Sequence, residues 1–271
     1  MFDVDKLRHE IRLETRNSEL MSSIIQERRD SHLIIRLNRP EESNALSREM
    51  VLALSDRFTS LDTERNLRAV ILTGNGDKAF CAGADLTELA EPNETRTLEG
   101  LISQIENCHV PVIAAVNGVA ADDGCQLALA CHLTIASAHA QFSLTAARSG
   151  FDSGYDVRGG LAREVGEEVA LRMLSGKVVS AEEALRLGLI NRVVPAVELL
   201  SRAEDLAREI AQLAPLAIRA CLEAVIRGNQ LPLAEGLALE TKVFASLFDT
   251  DDVREGTSAF LERRSPVFKG T

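Results

Sequence analysis

The chain has 271 residues, long enough for one large domain with a sizeable buried core. Its 41 acidic and 30 basic residues leave a formal charge of -11, which disfavours a general nucleic-acid surface but allows a local basic cluster to meet an anionic ligand. No apolar run of about 18 residues occurs, and the first residues carry neither an apolar signal core nor a small-residue cleavage pattern, so a cytoplasmic protein without membrane insertion is expected.

Residues 1–26 are mixed in charge and weakly periodic, and are read as an N-terminal extension. His32 to Leu37 then reads as a strand stopped by Asn38-Arg39-Pro40. Ser47 is placed to cap a helix with Val51, Leu54 and Phe58 on one side. A strand over residues 68–73 runs into the turn Thr73-Gly74-Asn75-Gly76. The segment Phe80-Cys81-Ala82-Gly83-Ala84-Asp85 follows, with small residues where backbone N–H groups can approach a bound atom closely. Asp85 is placed to cap a helix beginning near Leu86. Convergent N–H groups at such a junction can stabilise a developing negative oxygen.

Residues 87–96 are polar and contain Pro92, and are read as a wall or lid. Leu98, Leu101, Ile102 and Ile105 mark an amphipathic helix. Pro111 to Gly118 reads as a second core strand and turn, Asp122 to Ala130 as a short helix, and Leu133 to Ala136 as a further strand. Beyond Ser180, whose spacing to Glu183 fits a capping box, helices are expected after Leu199, Pro215, Leu233 and Thr250. The five cysteines have no CxxC or zinc spacing, so reduced, mostly buried thiols and no metal are expected.

The segment Ala79-Phe80-Cys81-Ala82-Gly83-Ala84-Asp85-Leu86 resembles the first oxyanion-hole loop of the crotonase, or enoyl-CoA hydratase/isomerase, superfamily. Pro111 to Gly118 resembles the strand leading to the second, and the likeness runs from about Glu27 to Phe268. It implies an α/β fold, a crotonase-like ββα spiral over residues 27–200, followed by a C-terminal helical trimerisation and CoA-contacting region over 201–271. It also implies an acyl-CoA substrate, with coenzyme A as the carrier and no separate cofactor. The resemblance further implies that the C-terminal helices, rich in apolar surface, pack a homotrimer, or a hexamer made as a dimer of trimers.

The same resemblance pairs the N–H groups of Ala84 and Asp123. Asp123 falls in a run that the family fills with glycine and that reads here Asp122-Asp123-Gly124. At least one of these aspartates is expected to cap the following helix. The two glutamates of the family's hydratases fall at Gln126 and Ala146, neither of which can carry the proton, so ordinary two-glutamate hydration is disfavoured. Downstream, Gly150-Phe151-Asp152 resembles the loop of naphthoate synthases, and dehalogenases and dienoyl-CoA isomerases also use an aspartate from this neighbourhood. Asp152 and Asp156 are therefore the acid/base candidates, with Tyr155 orienting substrate or water. His132 and His139 are read as structural and surface residues respectively.

For the CoA handle the resemblance implies contacts at Ala45, Ala82 and Asp85. Arg263, Arg264 and Lys269 would neutralise phosphate, and Phe260 and Phe268 would pack on the nucleotide. The expected chemistry is hydratase/lyase work on a nonstandard acyl-CoA through a thioester enolate. The alternatives are an isomerase or a β-diketone or C–C bond hydrolase using Asp152 or Asp156, and a catalytically inactive acyl-CoA-binding or interaction protein.

Overall fold

A computed structural model describes residues 22–64, 66–85, 87–88, 94–145 and 161–271. The extension up to residue 21, residues 89–93 of the expected lid, and Ala146, Asp152, Tyr155 and Asp156 lie outside the described residues.

Strand β1 (Ile24–Arg28) begins inside the stretch read as an extension and pairs antiparallel with β2 (His32–Leu37). Helix α1 (Arg48–Ser60) starts where Ser47 accepts a hydrogen bond from the Met50 N–H, and it buries Met50, Val51, Leu54 and Phe58. Strands β3 (Ala69–Gly74) and β4 (Ala79–Cys81) follow, then helix α2 (Glu94–Glu106) with Leu101, Ile102 and Ile105 inside. The pattern repeats in β5 (Val112–Val116), β6 (Val119–Ala121) and α3 (Asp123–Leu129), and again in β7 (Leu133–Ser137) and β8 (Gln141–Ser143).

In the pairs β3/β4, β5/β6 and β7/β8 the first strand joins a six-stranded sheet ordered β1-β2-β3-β5-β7-β10, where β10 is Arg192–Val194, and the second joins a four-stranded sheet ordered β4-β6-β8-β9, where β9 is Val179–Ser180. This alternation is the ββα spiral that the resemblance implied. Past residue 160 the chain makes α4 (Ala162–Val165), α5 (Glu167–Leu174), β9 (Val179–Ser180), α6 (Ala181–Leu187) and β10 (Arg192–Val194). Ser180 accepts from the Glu183 N–H, as the capping box requires. The Glu183 side chain instead reaches Lys177 at 3.0 Å, so only half of the box closes.

Both faces of the larger sheet are covered, which is why β3 reads as an unbroken apolar run. Leu33, Ile35, Val70, Leu72, Val112 and Ala114 lie in the main core, which also takes in buried residues of α1, α2 and the smaller sheet. Ile34, Ile71, Ile113 and Ile135 alternate to the other face, beneath Leu199, Ala203 and Ala207 of α7 (Leu199–Ala211).

The last helices are α8 (Pro215–Gly228), α9 (Leu233–Ser246) and α10 (Asp251–Glu262). Neither α8 nor α9 buries a residue within this chain, and Val225, Leu237 and Phe244 stand exposed. Thr250 caps α10 by accepting from the Val253 N–H. Its inward residues are Asp252 and Ala259, whereas Phe260 is 82% exposed. No helix among the described residues is long and apolar enough to cross a membrane.

Candidate active site

The site forms where the loop after β4 meets the start of α3. Ala82 to Asp85 is pinned along Ser43 to Leu46 by backbone hydrogen bonds from Ala82 N to Ser43 O (3.1 Å), Leu46 N to Gly83 O (2.8 Å) and Asp85 N to Leu46 O (3.0 Å). Gly83 takes φ 102°, where side chains are strained, and a Cβ there would sit 3.1 Å from the Ala121 carbonyl oxygen. The glycine therefore lets the two loops touch.

Two asparagines missing from the sequence reading hold this corner. The buried Asn44 side chain donates to the carbonyls of Asn75 (3.0 Å) and Ala79 (2.8 Å), and accepts from the Arg39 N–H (3.0 Å). Asn117 accepts from the Gly74 N–H (3.0 Å) and donates to the Gly76 and Ala79 carbonyls. The sequence signal available was polar amides beside glycine turns, where backbone groups leave the sheets and need partners.

Where a helix was expected from Leu86, the described residues 87 and 88 form a turn, and the next described helix is Glu94–Glu106. The Asp85 carboxylate accepts from the Thr87 hydroxyl (2.7 Å) and N–H (3.1 Å) and pairs with Arg39 at 2.9 Å. These partners, the Thr87 hydroxyl foremost, hold the carboxyl below its ordinary range. Arg39 also donates to the Ala45 carbonyl, tying that loop to the same corner.

On the second loop, Asp122 adopts φ 49° and ψ -119°, a strained setting for a residue other than glycine. It stands at the N-cap of α3, yet its side chain makes no cap bond, which corrects the capping expectation. The carboxylate is taken by Thr145, whose N–H and hydroxyl both donate to it. That contact fastens the loop to the residue where the 146–160 segment begins.

Asp123 opens α3, and the Ala84 N–H donates to its carboxylate. Burial chiefly, then the neighbouring charge of Asp122, push this carboxyl up to about 6, with the Ala84 hydrogen bond opposing. The folded chain thus holds the Asp123 proton more tightly than the unfolded one. This carboxyl's own contribution to stability is expected to be full below about pH 4 and to be lost as pH rises through about 6. Gly124 presses on β4, and Gln126 lies one position beyond the buried Cys125 with its backbone N–H on the Asp122 carbonyl. Burial raises the Cys81 and Cys125 thiols to about 12, so neither supplies a thiolate nucleophile near neutrality.

His132 is structural: Nδ1 accepts from the Val112 N–H (2.9 Å) and Nε2 faces the Glu106 carbonyl (3.1 Å), which places the proton on Nε2. His139 is exposed and lies against the Asp77 carbonyl at 3.4 Å.

The other proposed CoA contacts lie on the C-terminal tail. Arg263 ends α10 in a left-handed conformation, and Arg264 is committed to Glu255 by two bonds of 2.6 and 2.8 Å. Asp252, buried, accepts from the backbone N–H groups of Lys269 and Gly270, and the Phe268 ring lies against Gly256. Among the described residues no group of three or more His, Cys, Asp or Glu is placed to hold a metal ion.

The structure therefore brings Ala45, Ala82, Ala84, Asp85 and Asp123 to one corner, with Gln126 on the adjoining helical turn, and puts Phe260, Arg263, Phe268 and Lys269 on the tail. A family model described as enoyl-CoA hydratase/isomerase matches residues 27–271. The chain is 38% identical to the (E)-benzylidenesuccinyl-CoA hydratase of Thauera aromatica, over 87% of this chain and 94% of that one. It is 37% identical to the 2,3-dehydroadipyl-CoA hydratase of Escherichia coli, over 92% of this chain and all of that one. A crystal structure of an enoyl-CoA hydratase from Bacillus anthracis superposes with a TM-score of 0.89 at 36% identity, covering 92% of this chain and all of that one.

Proposed function

The chain belongs to the enoyl-CoA hydratase/isomerase family and is an enzyme acting on acyl-CoA, and from that premise we propose that it holds an acyl-CoA thioester oxygen between the N–H groups of Ala84 and Asp123 while enolate charge builds on it. The observation carrying this reading is that the Ala84 N–H is aimed at an anionic oxygen, that of the Asp123 carboxylate. Removing a proton alpha to a thioester leaves the electron pair on that oxygen. One pre-aimed donor in such a site is worth about 3 kcal/mol of barrier.

The reaction we assign is hydratase/lyase chemistry on a nonstandard acyl-CoA. Gln126 and Ala146 stand at the two positions where the family's hydratases carry glutamate, so proton transfer passes to Asp152, with Asp156 as the second carboxyl and Tyr155 orienting water or substrate. The CoA phosphates are met by Arg263 and Lys269. Copies of the chain pack through the apolar faces of α8 and α9 into a trimer, two of which make a hexamer. The exposure of Val225, Leu237 and Phe244 supports that packing.

Alpha-proton exchange in deuterated water, followed by NMR on butanoyl-CoA and crotonyl-CoA, tests the assignment. The wild type is expected to exchange the alpha protons, and Asp152→Asn to lose about 100-fold or more of that rate with folding and CoA affinity retained. Near-normal turnover of Asp152→Asn would remove that residue from the mechanism. CoA binding with no exchange, hydration or isomerisation in the wild type would favour a binding protein.

A further inference from the structure

The residue supplying the second N–H of the proposed hole also carries a carboxyl, and that carboxyl occupies the first N–H. The backbones that carry the two groups are themselves close. A Cβ on Gly83 would lie 3.2 Å from Asp122 Cβ and 3.6 Å from Asp123 N, so the two loops are already in contact. Gly124 is wedged on Cys81, and Asp122 is tied to Thr145. A thioester oxygen arriving at Ala84 must share that donor with a carboxylate, and two oxygens bearing negative charge on one N–H repel.

Among the described residues, no cation acts on Asp123. Asp122 on the same loop has the same sign of charge, Cys81 on β4 and Cys125 on α3 are buried neutral thiols, and Asp85 on the first loop is paired with Arg39. Transfer of the Ala84 N–H to substrate would also withdraw the interaction that holds the Asp123 carboxyl down.

We propose that Asp123 is a catalytic carboxyl of this site: acyl-CoA binds with uptake of one solvent proton onto Asp123, whose neutral carboxyl then donates its O–H to the thioester oxygen beside the Ala84 N–H. The only covalent change is formation of that O–H bond, reversed when product leaves. The hydrogen bond strengthens as enolate charge accumulates, as a buried carboxyl kept neutral does. The inference rests on the reading above, that the thioester oxygen enters the hole.

Calorimetric titration in two buffers of different ionisation heat tests it, with butanoyl-CoA, which has a thioester but no double bond to hydrate, and free CoA, which has no thioester. The CoA phosphate titrates near pH 6 in both ligands and cancels in the comparison. For the wild type near pH 7.5, butanoyl-CoA is expected to bring close to one more proton per site than CoA. Its affinity is expected to weaken about tenfold from pH 7 to pH 8. Asp123→Asn, and Asp123→Gly as a second variant, are expected to bind butanoyl-CoA with no extra proton and with an affinity flat over that range.

Tight wild-type binding of butanoyl-CoA with no extra proton and no pH dependence would overturn the inference while leaving the hole intact. If wild type and variants bind butanoyl-CoA and CoA alike, the thioester makes no contact, and the hole falls together with the inference.

Discussion

Gly124→Ala is expected to destabilise the protein by about 4 kcal/mol or more, at the severe end for a single methyl group. A Cβ at this position would lie 2.2 Å from the Cys81 carbonyl oxygen and 2.7 Å from both the carbonyl carbon and Cβ of Cys81. Two of these are backbone atoms of β4, which is fixed by its pairing with β6, so no side-chain rotation relieves the clash. The first turn of α3 must instead move off the sheet, carrying Asp123 away from Ala84. Urea denaturation measures the loss. Gly100→Ala in α2, where a Cβ meets nothing within 4 Å, is the control. It is expected to gain about 0.5 to 1 kcal/mol, since glycine is a poor helix former.

Asn44→Ala is expected to cost about 3 to 4 kcal/mol. The amide is wholly buried and serves three backbone groups, the Arg39 N–H and the carbonyls of Asn75 and Ala79. Asn117 also reaches the Ala79 carbonyl at 3.1 Å, so truncation strips the other two of this partner. Asn44 has φ 57°, a left-handed setting that asparagine tolerates and alanine does not. Asn44→Gly loses the same hydrogen bonds without the backbone strain, and is therefore expected to be milder than Asn44→Ala by about 1 kcal/mol. Thermal unfolding of the pair separates the two contributions. A loss under 1 kcal/mol in Asn44→Ala would show that water or rearrangement replaces the amide.

The elements that sequence made legible are those specified by neighbours along the chain. Ser47, Ser180 and Thr250 cap the helices their spacing implied, and the 69–74 run is a strand buried on both faces. The division of each strand pair between two sheets came from resemblance, because a strand's period says which faces are buried and not which sheet it joins. The misread side chains were captured in part by partners distant in sequence: Asp122 by Thr145 rather than the helix it precedes, and Asp85 by Arg39, beside the adjacent Thr87. The contact between the Ala84 N–H and the Asp123 carboxylate joins segments separated by two strands and a helix. It is the feature of the site least visible from pattern.

A crystal structure with butanoyl-CoA bound tests the assignment of the hole most directly. The thioester oxygen is expected about 2.7 to 3.1 Å from both the Ala84 and Asp123 nitrogens, with the Asp123 carboxyl displaced from the Ala84 N–H and turned to that oxygen. A bound thioester whose oxygen lies beyond reach of both amides, with the Asp123 carboxylate still on Ala84, would contradict it.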